Sequence, residues 1–219
     1  MAQRYRVRAI VFDLDGVLVD SMPAIRAYWT DWAGRHRVSP TAVLAELHLT
    51  AEELVRRFAP SLDAAAEARA TAEGQARMET GITPLDGGRA LIAQLPSNRW
   101  AVVTSGRRAL ALRHLALGQL PVPSVLITAE DTPRGKPDPA GYRLAAERLG
   151  VPSGECLAIE DSPAGVRAAR DAGMAVVAVT NTHRANELGD ADAVIDSLTS
   201  LRLGVDRERL TIEVRSADA

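Results

Sequence analysis

The sequence predicts an α/β fold built on a parallel sheet, with one small helical domain inserted near its start. Three observations lead there. Short β-branched runs recur between helical stretches; Gly, Pro or Asp bounds each run; and the rhythm fails over one segment, 21–84, that is rich in helix formers. Near-continuous apolar runs suit strands covered on both faces, and the lengths between them allow crossover helices.

The elements follow in order. The first strand is read from "VRAIVF", Val7–Phe12, which leads into "DLDG", where Asp13 and Asp15 interrupt the apolar run with Gly16 behind them. From Ser21 the pattern turns helical. Met22, Ile25, Tyr28/Trp29 and Trp32 fall at helical spacing, and "TAVLAELH", "AEELVRRF" and "SLDAAAEARATAEGQARME" continue in strong helix formers. The chain re-enters the core near "GITPLDGG", Gly81–Gly88. Further strands are expected at Trp100–Thr104, Ser124–Thr128, Cys156–Glu160, Ala175–Thr180 and Ala193–Ile195, and "LRLGVDRERLTIEV" reads as a terminal hairpin. The expected organisation is a core segment at 1–20, a helical insertion at 21–84, an α/β core at 85–200 and a hairpin or tail at 201–219.

Composition narrows the function classes. With 219 residues, 47% of them hydrophobic, the chain can bury one large core and a smaller appended one. The formal net charge is −2 and the basic residues are dispersed, so no nucleic-acid partner is expected; the Arg56-Arg57 and Arg107-Arg108 pairs sit among apolar residues. Cys156 is the single cysteine, which excludes an intramolecular disulfide framework and a cysteine-rich zinc site. No apolar run reaches the length of a membrane span, and the first residues lead into a strand without a signal-peptide pattern. A soluble cytoplasmic monomer with no membrane partner is the expectation.

Three strand ends carry polar groups that one reaction needs together. The first offers Asp13 and Asp15, the second Thr104 and Ser105 before Gly106, and the fourth Glu160 and Asp161 before Ser162; between the last two, "RGKPDP" supplies Lys136. In a parallel sheet these ends converge on one edge. Carboxylates gathered there from Asp13 and Asp161 repel one another unless a cation lies between them, and hard oxygen donors favour Mg²⁺. Hydroxyls, backbone N–H groups and an ammonium at the same mouth are the parts that hold a phosphoryl group. A carboxylate facing that phosphorus can attack it and form an aspartyl-phosphate. Each motif alone has a plainer reading: an acidic turn, strand punctuation, a rigid proline turn, or an N-cap followed by Pro. Their joint occurrence in this order points to a phosphate-handling site.

With these motifs the chain resembles the haloacid-dehalogenase-like phosphohydrolase superfamily: "DLDGVLVDS", "VVTSG", "RGKPDP" and "IEDSPAG" follow one another over Val7–Leu198. The resemblance implies a Rossmann-like core with the helical insertion as a cap. It implies Asp13 as nucleophile, Asp15 as general acid/base, Thr104 and Lys136 as phosphate ligands, and Mg²⁺ held by Asp13, the backbone carbonyl of Asp15 and Asp161, with Glu160 supporting or ligating. Ser105 joins the phosphate-binding set, and Asp20 and Ser162 are candidates for supporting the site. In the insertion, His48, Arg56 and Arg57 are candidates for substrate contact.

Within the superfamily the chain is similar to bacterial sugar phosphatases and glycerol-phosphate phosphatases through "WAVVTSG", "ITAEDTPRGKPDP" and "METGITPLDG". His48 matches a cap histidine of that group, whereas Leu49 and Thr50 replace the residues expected after it. The resemblance implies hydrolysis of a small sugar, sugar-alcohol or glycerol phosphate. Phosphoglycolate phosphatase, β-phosphoglucomutase and a non-catalytic small-molecule-binding domain are the alternatives. The mutase lacks support at Ile25, where that family carries a histidine, and a Schiff-base phosphonate hydrolase lacks a lysine between Asp20 and Ala33.

Overall fold

The computed structural model describes residues 3–47, 49–78 and 80–215. It divides into two compact units, Met1–Asp20 with Thr83–Ala219, and Ser21–Ile82.

The larger unit bears out the α/β expectation. Its elements are β1 (Gln3–Val7), β2 (Ala9–Phe12), β3 (Val19–Asp20), β4 (Thr83–Pro84), β5 (Trp100–Val103), β6 (Val125–Ile127), β7 (Cys156–Glu160), β8 (Ala175–Val179), β9 (Ala193–Ile195), β10 (Leu201–Val205) and β11 (Leu210–Val214). Six of these form one parallel sheet in the order β6-β5-β2-β7-β8-β9. Every residue of β2, β5 and β7 is buried, which explains why these strands read as unbroken apolar runs. Phe12 packs edge-to-face on Trp100 across the β2–β5 pair, with ring centroids 6.3 Å apart.

The strand expected over Val7–Phe12 is two strands. β1 pairs antiparallel with β11, which also pairs with β10, so Gln3–Val7 belongs to a separate three-stranded sheet. The break falls at Arg8, whose N–H donates to the Glu155 carbonyl and whose guanidinium pairs with the Glu155 carboxylate at 3.3 Å. Of the expected run only Val7 belongs to β1, whereas Ala9–Phe12 forms β2 of the parallel sheet.

In the larger unit α5 (Gly88–Ile92) precedes β5, and α6 (Arg108–Leu117), α7 (Ala140–Leu149) and α8 (Pro163–Asp171) follow the parallel strands β5, β6 and β7. Of these, α8 starts where the sequence pattern puts it. Ser162 is its N-cap and accepts from the Gly165 N–H at 3.2 Å, and Pro163 takes the first turn, where its missing donor costs nothing.

The smaller unit is helical: α1 (Met22–Arg35), α2 (Pro40–Leu44), α3 (Ala51–Phe58) and α4 (Ala64–Ala76). Its core gathers Trp29, Trp32, Ala33, Val43, Leu54 and Val55. Trp32 is fully buried and keeps its ring N–H satisfied on Glu67 at 2.9 Å. Thr50 and Glu53 form a reciprocal capping box that starts α3, and the Asp63 carboxylate caps α4.

Candidate active site

β2 lies between β5 and β7, so its carboxyl end is flanked by theirs. Asp13 leaves β2, Thr104 leaves β5, and Glu160 and Asp161 lie at the end of β7; strand order alone brings these segments together. The next turn holds Asp15 in place. Leu14 is fully buried, and Gly16 adopts φ +85°, a conformation that favours glycine. A Cβ at Gly16 would overlap the Asp161 carboxylate. The Gly16 N–H bonds the Val19 carbonyl at 2.8 Å, and its own carbonyl accepts from the Asn181 amide at 2.8 Å.

Lys136 is the hub. Its Nζ donates to Asp13 Oδ1, to Glu160 Oε1 at 2.5 Å and to the Val103 carbonyl at 3.2 Å, and lies 5.4 Å from the centroid of the Tyr142 ring. Glu160 is fully buried, yet both of its oxygens are engaged. Oε1 also accepts from the Tyr142 hydroxyl at 2.7 Å, while Oε2 accepts from the Asp161 N–H at 3.0 Å and from the Ser162 N–H and hydroxyl. A Cβ at Gly165 would occupy the space of this carboxylate, which gives the glycine of "SPAG" its reason. Asp161 Oδ2 accepts from the Thr182 hydroxyl, and Thr182 and His183 both approach the Asp161 carbonyl, at 3.1 and 3.0 Å.

Charge and burial shift these groups in opposite directions. Burial pushes Asp13 well above the usual carboxylate range against the pull of Lys136, and the neighbouring carboxylates push it further. Burial and the nearby Glu160 push Asp161 up to about 7. Burial also works against ionised Glu160, but Lys136, Tyr142 and the Asp161 N–H outweigh it and hold this carboxyl low. Lys136 is raised well above its ordinary value because Asp13 and Glu160 overcome the cost of burying an ammonium. The result is an ammonium shared between Asp13 and Glu160, with burial working against the charge on Asp13 and Asp161. Asp13, Glu160 and Asp161 each present an oxygen within 4.8 Å of the others. Two carboxyls reluctant to ionise, presenting hard oxygen donors, fit a small divalent cation, whose charge would remove that reluctance.

The remaining expected residues fall in different places. Asp15 accepts a long 3.4 Å contact from the Thr104 hydroxyl, and Thr104 itself accepts from the Gly106 N–H at 3.0 Å. Ser105 is exposed on the same loop, and Asp20 lies in β3 opposite Thr83. Arg56 and Arg57 belong to the helical unit, where they pair with Glu52 and with Glu46 at 3.0 Å. His48 lies outside the described residues.

Sequence reading missed His114, Tyr142 and Thr182. His114 Nδ1 lies 2.6 Å from Asp15 Oδ1. Its signal was a polar residue on the buried face of α6, beside Leu110, Ala111 and Leu115. Tyr142 follows the "KPDP" turn on the buried face of α7, and Thr182 belongs to the polar run after β8.

A family model for haloacid dehalogenase-like hydrolases matches residues 7–173. The chain belongs to this family. Among relatives of known role, hexitol phosphatase A of Escherichia coli (strain K12) is 40% identical over 90% of this chain and 94% of its own length. Validoxylamine A 7'-phosphate phosphatase of Streptomyces hygroscopicus subsp. limoneus is 36% identical over 89% of this chain and 96% of its own. Of solved structures, CbbY from Rhodobacter sphaeroides in complex with phosphate superposes with a TM-score of 0.76 at 27% identity, covering 88% of this chain and 95% of that one. As a haloacid dehalogenase-like hydrolase, the chain is a phosphohydrolase related to sugar- and glycerol-phosphate phosphatases.

Proposed function

We propose that the chain is a Mg²⁺-dependent phosphomonoesterase that hydrolyses small sugar, sugar-alcohol or glycerol phosphates through an aspartyl-phosphate. The observation that carries this reading is the buried set at the end of the parallel sheet, in which Lys136 pairs with Asp13 and Glu160 while Asp161 completes an oxygen cluster. Asp13, the Asp15 carbonyl and Asp161 are the groups that would hold Mg²⁺, which when bound offsets the repulsion between a carboxylate nucleophile and a phosphate dianion.

The chain's own groups divide the work. Lys136 orients Asp13 and, with the Thr104 and Ser105 end of β5, receives the phosphoryl oxygens. Asp13 attacks phosphorus through a carboxylate oxygen while the ester P–O bond breaks. Asp15 gives its proton to the departing alkoxide, then takes a proton from the water that attacks phosphorus and releases inorganic phosphate and free Asp13. Glu160 acts through Lys136 and the Asp161 N–H, because both of its oxygens already accept protein donors. Ser162, as the cap of α8 and a donor to Glu160, belongs to the same support.

The relationship to hexitol phosphatase A and to glycerol-1-phosphate phosphohydrolase 1 of Saccharomyces cerevisiae supports a phosphorylated polyol or sugar as substrate. Phosphate release from sorbitol 6-phosphate, hexose 6-phosphates, glycerol phosphate and phosphoglycolate tests the reading. Expected is kcat/KM at least about 10-fold higher for the sugar and polyol esters than for phosphoglycolate, with loss of turnover in a chelator and its return with Mg²⁺. A preference for phosphoglycolate, or release that the chelator leaves unchanged, contradicts it.

A further inference from the structure

The proposed mechanism asks one side chain, Asp15, to deliver a proton to one atom and later to remove a proton from another. Such a group acts only when its carboxyl points at the reacting atoms. The loop that carries Asp15 is fixed through its backbone, by the Gly16–Val19 and Asn181–Gly16 hydrogen bonds. Those bonds do not choose the side-chain torsions.

His114 does. It lies in α6 with Leu110, Ala111 and Leu115 on the buried face, and its side chain is 3% exposed against 28% for Asp15. An imidazole ring packed into a helix face has little freedom to turn. Its Nδ1 meets Asp15 Oδ1 at 2.6 Å, while the Asp15 Oδ2 lies toward the Thr104 hydroxyl. Thr104 and His114 belong to consecutive elements, Thr104 directly after β5 and His114 inside α6. The Asp15 carboxyl is therefore held at Oδ1 by a buried ring and approached at Oδ2 by the Thr104 hydroxyl.

We propose that His114 is a positioning residue for Asp15, selecting the side-chain conformation in which this carboxyl exchanges protons with the leaving group and the attacking water. The inference rests on the reading of Asp15 as the general acid/base, and it adds a residue outside the four sequence motifs. A histidine that serves only to fill the core would affect stability and leave turnover per folded molecule alone.

The test compares His114→Leu, His114→Asn and Asp15→Asn in steady-state hydrolysis of glycerol phosphate in saturating Mg²⁺. Leucine keeps the volume and removes the ring nitrogen, whereas asparagine places an amide N–H at the position of Nδ1. His114→Leu is expected to lower kcat by about 10- to 100-fold while KM stays within about 3-fold, because the loss falls on the chemical step. His114→Asn is expected to recover kcat to within about 5-fold of wild type. Unchanged kcat in His114→Leu, or an equal fall in both variants, overturns the inference. Should His114→Leu not fold, His114→Gln replaces it, since its longer side chain displaces the donor; equal kcat in the Asn and Gln variants then overturns the inference. Near-normal turnover in Asp15→Asn would instead remove Asp15 from the mechanism, a separate result.

Discussion

Lys136 shares one ammonium among Asp13, Glu160 and the Val103 carbonyl, and the consequences for proton binding differ from one carboxyl to the next. Glu160 ionises readily because five donor contacts surround it. Asp161 is held at about 7 by burial and by the charge of Glu160, so without a cation it carries a proton through most of the acid range. A cation binds the ionised form and must displace that proton. Affinity for Mg²⁺ is therefore expected to rise with pH through the acid range to about 7. Calorimetric titration at pH 6 in two buffers of different ionisation enthalpy measures the displacement directly. About one proton or more released per Mg²⁺ is expected; heats identical in the two buffers would contradict this proton linkage.

At the scale of elements, the parallel sheet and the three-stranded sheet do different work. β2, β5 and β7 end at the site, whereas β11 runs between β1 and β10 and contributes Leu210, Ile212 and Val214 as alternate buried residues. Ile212 is fully buried. Ile212→Ala is expected to cost about 2–5 kcal/mol in urea unfolding while kcat of the folded enzyme stays near wild type. A large fall in kcat with stability intact would show that this sheet reaches the chemistry.

These elements were unequally legible in the sequence. The parallel strands could be read because burial on both faces leaves an unbroken apolar run, and the strand-end motifs because Asp, Thr, Lys and Glu are costly there without a task. Arg8 was harder: nothing in "VRAIVF" indicates that its guanidinium meets Glu155 and divides the strand. His114 was harder still, since its partner lies 99 positions away and only the fold joins them. The sequence leaves Glu160 either supporting or ligating, because it does not place the donors that engage its oxygens, Tyr142 among them, beside it.

Across the whole molecule, the order β6-β5-β2-β7-β8-β9 converts four separated motifs into one mouth, because the first strand in the sheet is also one of its central ones. Asp13 stands at the middle of that arrangement, so the central claim is that phosphorus becomes covalently attached to its carboxylate. Rapid acid quenching with a phosphorus-labelled polyol phosphate tests this most directly, with Asp13→Asn run beside the wild type. The account predicts a transient labelled protein in the wild type, no label in Asp13→Asn, and turnover of that variant reduced by at least about 1,000-fold. No phosphoenzyme at any quench time, together with near-normal turnover of Asp13→Asn, would contradict it.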